Sequence, residues 1–320
     1  MGTPGIMPPQ LIGPFAGPRT FMNVPYSADP TGSLAAILGV PFDAGTHPTR
    51  IGSRQGPAAI REQSLLVRPY QPPHALFSPL EDLNVVDCGD ADATASIIDA
   101  SFEAIELAAT TILEAGAAPL ALGGDGMISL PLLRAAKRKY DDLVVLHIDA
   151  HTDTYPGDGN AVQDRYNVAT TFTRASEEGL VDLDASYHVG ARGPVLFADV
   201  FEHTQEKGYN LIDGNEMFAV GLDRTAQRIK DAIGQRPVYF CFDMDFFDPS
   251  CAPGVCTPTW GGASAREGLG FIQSFAGLNV VASDINTVSP PHDVGGMTAF
   301  LAATVTLEIL TLMARSKRAL

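Results

Sequence analysis

Basic residues are scarce in this chain. Its 21 lysines and arginines stand against 37 aspartates and glutamates, for a formal charge of −16. A surface so acidic repels phosphate backbones and anionic lipid headgroups alike, so neither nucleic acid nor a membrane is an expected partner. Cysteine is sparse as well. The four present, Cys88, Cys241, Cys251 and Cys256, have no CxxC spacing. No disulfide framework is therefore expected, and a reducing, cytoplasmic setting is. No charged and apolar leader opens the sequence. The most apolar stretch, 300–312, is interrupted by Glu308 and falls short of the roughly 18 apolar residues that a membrane span needs.

Proline is plentiful at the front, with Pro4, Pro8, Pro9, Pro14, Pro18, Pro25 and Pro30 among several glycines. Such a composition holds neither a regular helix nor a central strand. Residues 1–34 are therefore expected to form an extended arm on their own domain or on a neighbouring subunit. From 35 to 320, short apolar runs alternate with stretches of helical period. Strands are predicted at 35–40, 84–87, 119–122, 143–148, 187–190, 209–212, 238–243 and 280–285. Helices are predicted at 56–66, 97–115, 128–140, 222–233, 266–275 and 298–314. This alternation implies an α/β fold: one three-layer domain, a mostly parallel sheet with helices on both faces. Ligands in such folds gather beyond the carboxyl ends of the strands.

Two of those ends carry closely spaced acids. Asp149, His151 and Asp153 follow the apolar run 143–148 at period two, and Asp243 and Asp245 close the run 238–243 in the same way. Should the two strands be neighbours, four carboxylates and an imidazole share one crevice. Like charges so close require a divalent cation, raised pKa values or basic partners, and basic residues are few nearby. Mixed carboxylate and imidazole ligation suits manganese, iron, nickel, cobalt or zinc, without the thiolates of a structural zinc site. His147, inside an apolar run, is expected to be a satisfied core histidine. His188 and His203 show no ligand spacing.

The order of motifs resembles the ureohydrolases, the family of arginase, agmatinase and the guanidino-acid hydrolases. Gly39-Val-Pro-Phe-Asp43, Arg50-Ile-Gly-Ser-Arg-Gln-Gly-Pro57 and Ile60-Arg-Glu62 are similar to that family's opening signature. Val86-Asp-Cys-Gly-Asp90, Leu122-Gly-Gly-Asp-Gly126, the DAHTD segment, Phe242-Asp-Met-Asp-Phe-Phe-Asp-Pro249 and Val288-Ser-Pro-Pro291 follow in order. The resemblance implies a two-metal centre of manganese or nickel that hydrolyses a guanidinium to urea or a substituted urea. By position it implies that Asp149 and Asp243 bridge the metals, Asp153 binds the first, and His151 and Asp245 bind the second.

The same comparison of motifs exposes four departures. Gly126 stands where the family's GGDH motif has a histidine ligand, and Val168, with Asn167 beside it, where the family has a proton-relaying histidine. Thr259, followed by Trp260, replaces the glutamate of the TPE motif that grips the guanidinium, and Thr287 replaces the glutamate of a D-x-x-E segment. Fewer than two ions per chain are therefore expected, with Thr259, Trp260 and His292 lining any substrate pocket; Cys256 is a candidate reactive thiol, although a small buried thiol is the commoner reading.

The resulting expectation is a degenerate, non-catalytic subunit that joins an active homologue in a trimer or hexamer. The two-subunit guanidine-type hydrolases, such as metformin hydrolase, offer the precedent. An active Mn- or Ni-dependent hydrolase of a substituted guanidine is the alternative, and a ligand sensor without turnover a third reading.

Overall fold

The computed structural model describes residues 17–94, 96–157 and 165–318. Eight strands form one sheet: β1 (Ala35–Val40), β2 (Val86–Asp90), β3 (Ala118–Gly123), β4 (Val144–Ile148), β5 (Tyr187–Val189), β6 (Asn210–Ile212), β7 (Pro237–Asp243) and β8 (Asn279–Asn286). Their spatial order is β2-β1-β3-β8-β7-β4-β5-β6, and every pairing is parallel. The chain passes from β3 to β4 across the places later filled by β8 and β7. A crevice therefore opens at the carboxyl ends of those four central strands, as such crossings do in open α/β sheets.

Helices cover both faces because parallel strands need crossovers. They are α1 (Gly56–Ser64), α2 (Pro79–Asp82), α3 (Ile98–Glu114), α4 (Ser129–Lys137), α5 (Thr171–Glu177), α6 (Val200–Glu206), α7 (Gly214–Val220), α8 (Leu222–Ile233), α9 (Ala265–Ser274) and α10 (Met297–Arg318). Alternation along β7 divides the core. Val238, Phe240 and Phe242 join Ile229 of α8, Phe271 and Phe275 of α9 and Ile309 of α10 on one face. Tyr239 and Cys241 join Ile105 of α3, Leu133 of α4 and Phe172 of α5 on the other. The six predicted helices are present. Helices α2, α5, α6 and α7 lay outside the sequence expectation, because each has seven residues or fewer and too few turns to show a period.

Helix α10 is long and apolar enough to cross a membrane by length and composition, but 83% of its most apolar 18-residue window is buried inside the protein. It serves as a core helix, covering β8 and α1.

The arm's residues 1–16 lie outside the described residues. From residue 17 onward the chain lies against its own domain. Phe21 is buried and its N–H donates to Asp87 Oδ2 at 2.9 Å, while Met22 N–H donates to Ser64 Oγ at 2.7 Å. Beyond that, Asp87 N–H donates to Pro25 O and Ser27 N–H to Asp87 O, so the arm pairs with the free side of β2.

One buried cation ties these pieces together. Arg61 of α1 reaches Asp87 with Nη2 at 2.8 Å and Nε at 2.9 Å, Gly89 O with Nη2 at 2.9 Å and Asp90 with Nη1 at 2.5 Å. Both Arg61 and Asp87 are buried. Removing one partner of such a pair strands the other charge away from water, which costs more than the pair itself contributes. Arg61→Met is expected to lower the unfolding free energy by about 3–5 kcal/mol in a denaturant titration. A loss below ~1 kcal/mol would show that water or the arm compensates Asp87.

Candidate metal centre

The acidic segments meet because β4 and β7 are neighbours, with Ile148 paired to Phe242 at their carboxyl ends. Asp149, Asp153, Asp243 and Asp245 are all buried, and His151 lies at the mouth with its side chain 22% exposed. His151 Nδ1 stands 3.1 Å from Asp245 Oδ2 and 3.3 Å from Asp149 Oδ1. Backbone donors fix the carboxylates: His151 N–H to Asp149 Oδ1 at 2.7 Å, Ala150 N–H to Asp245 Oδ1 at 3.2 Å and Asp245 N–H to Asp243 Oδ1 at 2.7 Å. Two sets of ligand atoms lie within 4.8 Å of one another, Asp149 with His151 and Asp245, and His147 with Asp149 and Asp153.

The backbone is strained where these groups are displayed. Asp153 has φ +52° and Thr287 φ +67°, both in the left-handed region that costs a non-glycine residue energy.

The titration behaviour records the crowding. Burial, with Asp149 beside it, pushes Asp153 well above the carboxylate range, and burial with Asp245 does the same to Asp243. Burial and Asp149 push Asp245 up to about 6. For Asp149 burial works in the same direction, but His147 and His151 outweigh it and hold the group well below the usual value. Burial opposes the charged form of His151, yet Asp245 and Asp149 raise its pKa well above normal. Protons on Asp153, Asp243 and Asp245 thus relieve the repulsion that a divalent cation would relieve by displacing them.

The donor atoms fit one such ion well. Asp149 Oδ1, His151 Nδ1 and Asp245 Oδ2 converge within 3.3 Å of the imidazole nitrogen and offer the mixed oxygen and nitrogen set that transition-metal dications take. The Asp153 side is poorer. Gly126 follows Asp125 at the end of β3, and a Cβ at position 126 would stand 3.3 Å from Asp153 Oδ2 and 3.9 Å from Val168 Cβ. The glycine and the valine therefore face the same carboxylate, and neither has an atom to coordinate a metal or carry a proton.

The two threonines are spent on the cluster. Thr287 Oγ1 donates to Asp243 Oδ1 at 2.5 Å, and Thr259 Oγ1 lies 3.2 Å from His151 Nε2. Trp260, next in the chain, is 75% exposed. Among the described residues no hydrogen bond or ion pair joins His292 to the cluster. It is half-buried in the turn Pro290–His292. Cys256 is buried, and burial pushes its thiol up to about 12, which agrees with the inert buried thiol rather than a reactive one.

Three residues near the centre were not singled out as parts of it from sequence. Arg192 donates from Nη2 to Asp245 O at 2.8 Å and Thr259 O at 2.9 Å, so one guanidinium clamps the end of β7 to the 257–262 loop. Gly193 beside it has φ +76°, and a Cβ there would collide with Thr259 Cγ2 at 2.4 Å, so only glycine lets the loops meet. His147 is buried in β4 with Nε2 2.8 Å from Asp149 Oδ2 and Nδ1 2.8 Å from His188 Nδ1 on β5. Its spacing of two from Asp149 was the available signal.

Comparison with known proteins agrees with this arrangement. Residues 33–312 match the sequence pattern of the arginase family. The chain is 37% identical to guanidinopropionase of Pseudomonas aeruginosa, covering 94% of this chain and 93% of that one. It is 38% identical to an agmatinase of Chromobacterium violaceum, covering 98% and 94%. Proclavaminate amidinohydrolase of Streptomyces clavuligerus superposes with a TM-score of 0.89 at 34% identity, over 95% of this chain and 99% of that structure. An eight-stranded parallel sheet, acids at the ends of its central strands and matches spanning nearly the whole length lead to one conclusion: the chain belongs to the arginase family, the ureohydrolases.

Proposed function

We propose that this protein is a ureohydrolase-fold subunit with an incomplete metal centre, non-catalytic by itself, that assembles with an active homologue acting on a small guanidine-type compound. The observation that carries the reading is position 126, where a glycine lies so close to Asp153 that an added Cβ would stand 3.3 Å from its Oδ2, yet supplies no side-chain ligand to it. Val168 stands 3.9 Å from the same Cβ position, and hydroxyls of Thr287 and Thr259 take the places in which the family resemblance implies carboxylates. A cationic guanidinium entering the crevice meets fewer anionic groups to hold it, and the Val168 side chain supplies no base.

Asp149, His151 and Asp245 would hold one divalent cation, manganese or nickel, with Asp243 beside it. When bound, such an ion supplies Lewis acidity and neutralises the carboxylates. The chain's own residues perform the rest: Arg192 keeps the 257–262 loop against Asp245, Thr287 orients Asp243, and Thr259 orients His151. In a mixed trimer or hexamer this built but underequipped pocket would leave the chemistry to the partner's site.

One set of observations favours a second reading, an active hydrolase of a substituted guanidine. Five of the implied ligands are retained, the relatives named above are hydrolytic enzymes by name, and Trp260 offers an exposed aromatic face on which an N-alkylated guanidinium can stack.

Expression alone with manganese and then nickel, followed by elemental mass spectrometry and a urea assay against guanidino acids, agmatine and N-alkylguanidines, separates the two. One ion or fewer per chain and no urea are expected. Two ions per chain, with urea release abolished by Asp243→Ala, would establish the second reading instead. Purification from the native source is expected to bring down a second ureohydrolase-like chain in stoichiometric amount, and a homo-oligomer alone would overturn the mixed assembly.

Restoring the missing nitrogen gives a further test. Gly126→His is expected to raise the metal content of the isolated chain without producing turnover, since Thr259 and Val168 remain. Appreciable urea release from that single variant would mean that the histidine was all the centre lacked.

A further inference from the structure

Beneath the acidic cluster lies a column of buried rings that the proposed function leaves unused. His147 and His188 are paired residues in the register of β4 and β5, and both are buried. Their Nδ1 atoms stand 2.8 Å apart, so a single proton lies between them. Phe172 packs on His147 at 4.3 Å between centroids, and Tyr209 meets His188 edge-on at 4.5 Å. Tyr209 Oη in turn donates to Phe172 O at 3.0 Å, closing a cage around the two imidazoles.

The cage points at one atom. His147 Nε2 is 2.8 Å from Asp149 Oδ2, while Asp149 Oδ1 takes the His151 N–H and faces the His151 ring. Each oxygen of Asp149 thus has its own imidazole, one from the core and one from the crevice. Asp149 is shared by both possible ligand sets, so its orientation governs every arrangement the centre can adopt.

We propose that His147 is a positioning residue: braced by His188, it holds the Asp149 carboxylate in the orientation that a divalent cation requires, and does not itself coordinate the ion. Its Nδ1 is taken by the hydrogen bond with His188, and its Nε2 stands 2.8 Å from Asp149 Oδ2 in an ion-pair contact, so ligation would require it to give up one of these neighbours. A carboxylate oxygen only accepts, so the 2.8 Å approach is favourable only with a proton on Nε2, and a protonated Nε2 has no lone pair for a metal. Partners of this kind behind a ligand set both its geometry and its affinity for the ion. The inference rests on the reading above that Asp149, His151 and Asp245 take up a cation.

The test compares the parent chain with His147→Gln, His147→Phe and His188→Phe, titrated with Mn2+ alone in a calorimeter, with thermal unfolding followed in EDTA. His147→Phe is expected to weaken Mn2+ binding by about ten- to a hundredfold, the usual effect of losing such a partner. His147→Gln, whose amide N–H can stand where Nε2–H stood, is expected to recover most of that loss. His188→Phe should fall between them. Unchanged affinity in His147→Phe would overturn the proposal. A glutamine variant as weak as the phenylalanine one would overturn it too, because a ligand rather than a donor would then have been lost. Nitrogen-15 spectra of the imidazoles in the metal-free parent supply an independent readout, in which a proton on His147 Nε2 supports the proposal and a bare Nε2 sinks it. A parent chain that binds no Mn2+ at all would refute the cation reading, and those spectra would still decide the role of His147.

Discussion

Crowded negative charge is the constraint around which this molecule is arranged. Four aspartates are buried at the carboxyl ends of two neighbouring strands, and no lysine or arginine side chain is ion-paired with any of them among the described residues. Such a cluster persists only when positive charge enters it, as protons or as a cation. The rest of the crevice serves to hold the acids in place at that cost. Backbone amides grip Asp149, Asp243 and Asp245, two imidazoles bracket Asp149, Arg192 pins the loop opposite, and left-handed backbone at Asp153 and Thr287 keeps both side chains turned inward.

The departures from the family pattern are not random when set on this frame. A side chain is missing at Gly126, and at Val168 the side chain is apolar, on the Asp153 side of the centre. On the other side, the Asp149, His151 and Asp245 set is complete and Thr259 supports the imidazole. The missing side-chain ligand thus falls on the Asp153 side, away from the Asp149, His151 and Asp245 set. The hydroxyls at Thr259 and Thr287 keep contact with the cluster without adding charge to it.

Much of this was legible in the sequence because the relevant signals are local. Apolar runs such as 143–148 and 238–243 read as strands, and acids at period two after them read as one-sided displays. The alternation of strands and helices sufficed for a parallel sheet. Spatial order was another matter. That β7 would lie beside β4, and β8 beside β3, depends on pairings between distant segments that no window of sequence contains. The same limit hid Arg192, which acts through carbonyl groups of residues far along the chain, and made His147 look like a core residue only. Both descriptions of His147 hold, since it is buried and it touches Asp149. The short helices escaped because one or two turns carry too little periodicity to register.

The pairing of the arm with β2 bears on something other than the crevice. An open parallel sheet has two outer strands whose unpaired amides and carbonyls invite pairing with a foreign strand. At one end β6 has only three residues and offers little template. At the other, β2 is longer, but Asp87 N–H is given to Pro25 and Asp87 O receives the N–H of Ser27. Proline cannot donate to a ladder, so Pro25 and Pro30 make the arm itself a poor strand for anything beyond it to extend. Residues 25–27 therefore occupy the outer edge of β2 at Asp87, the point on that border where a foreign strand would otherwise find both a free donor and a free acceptor.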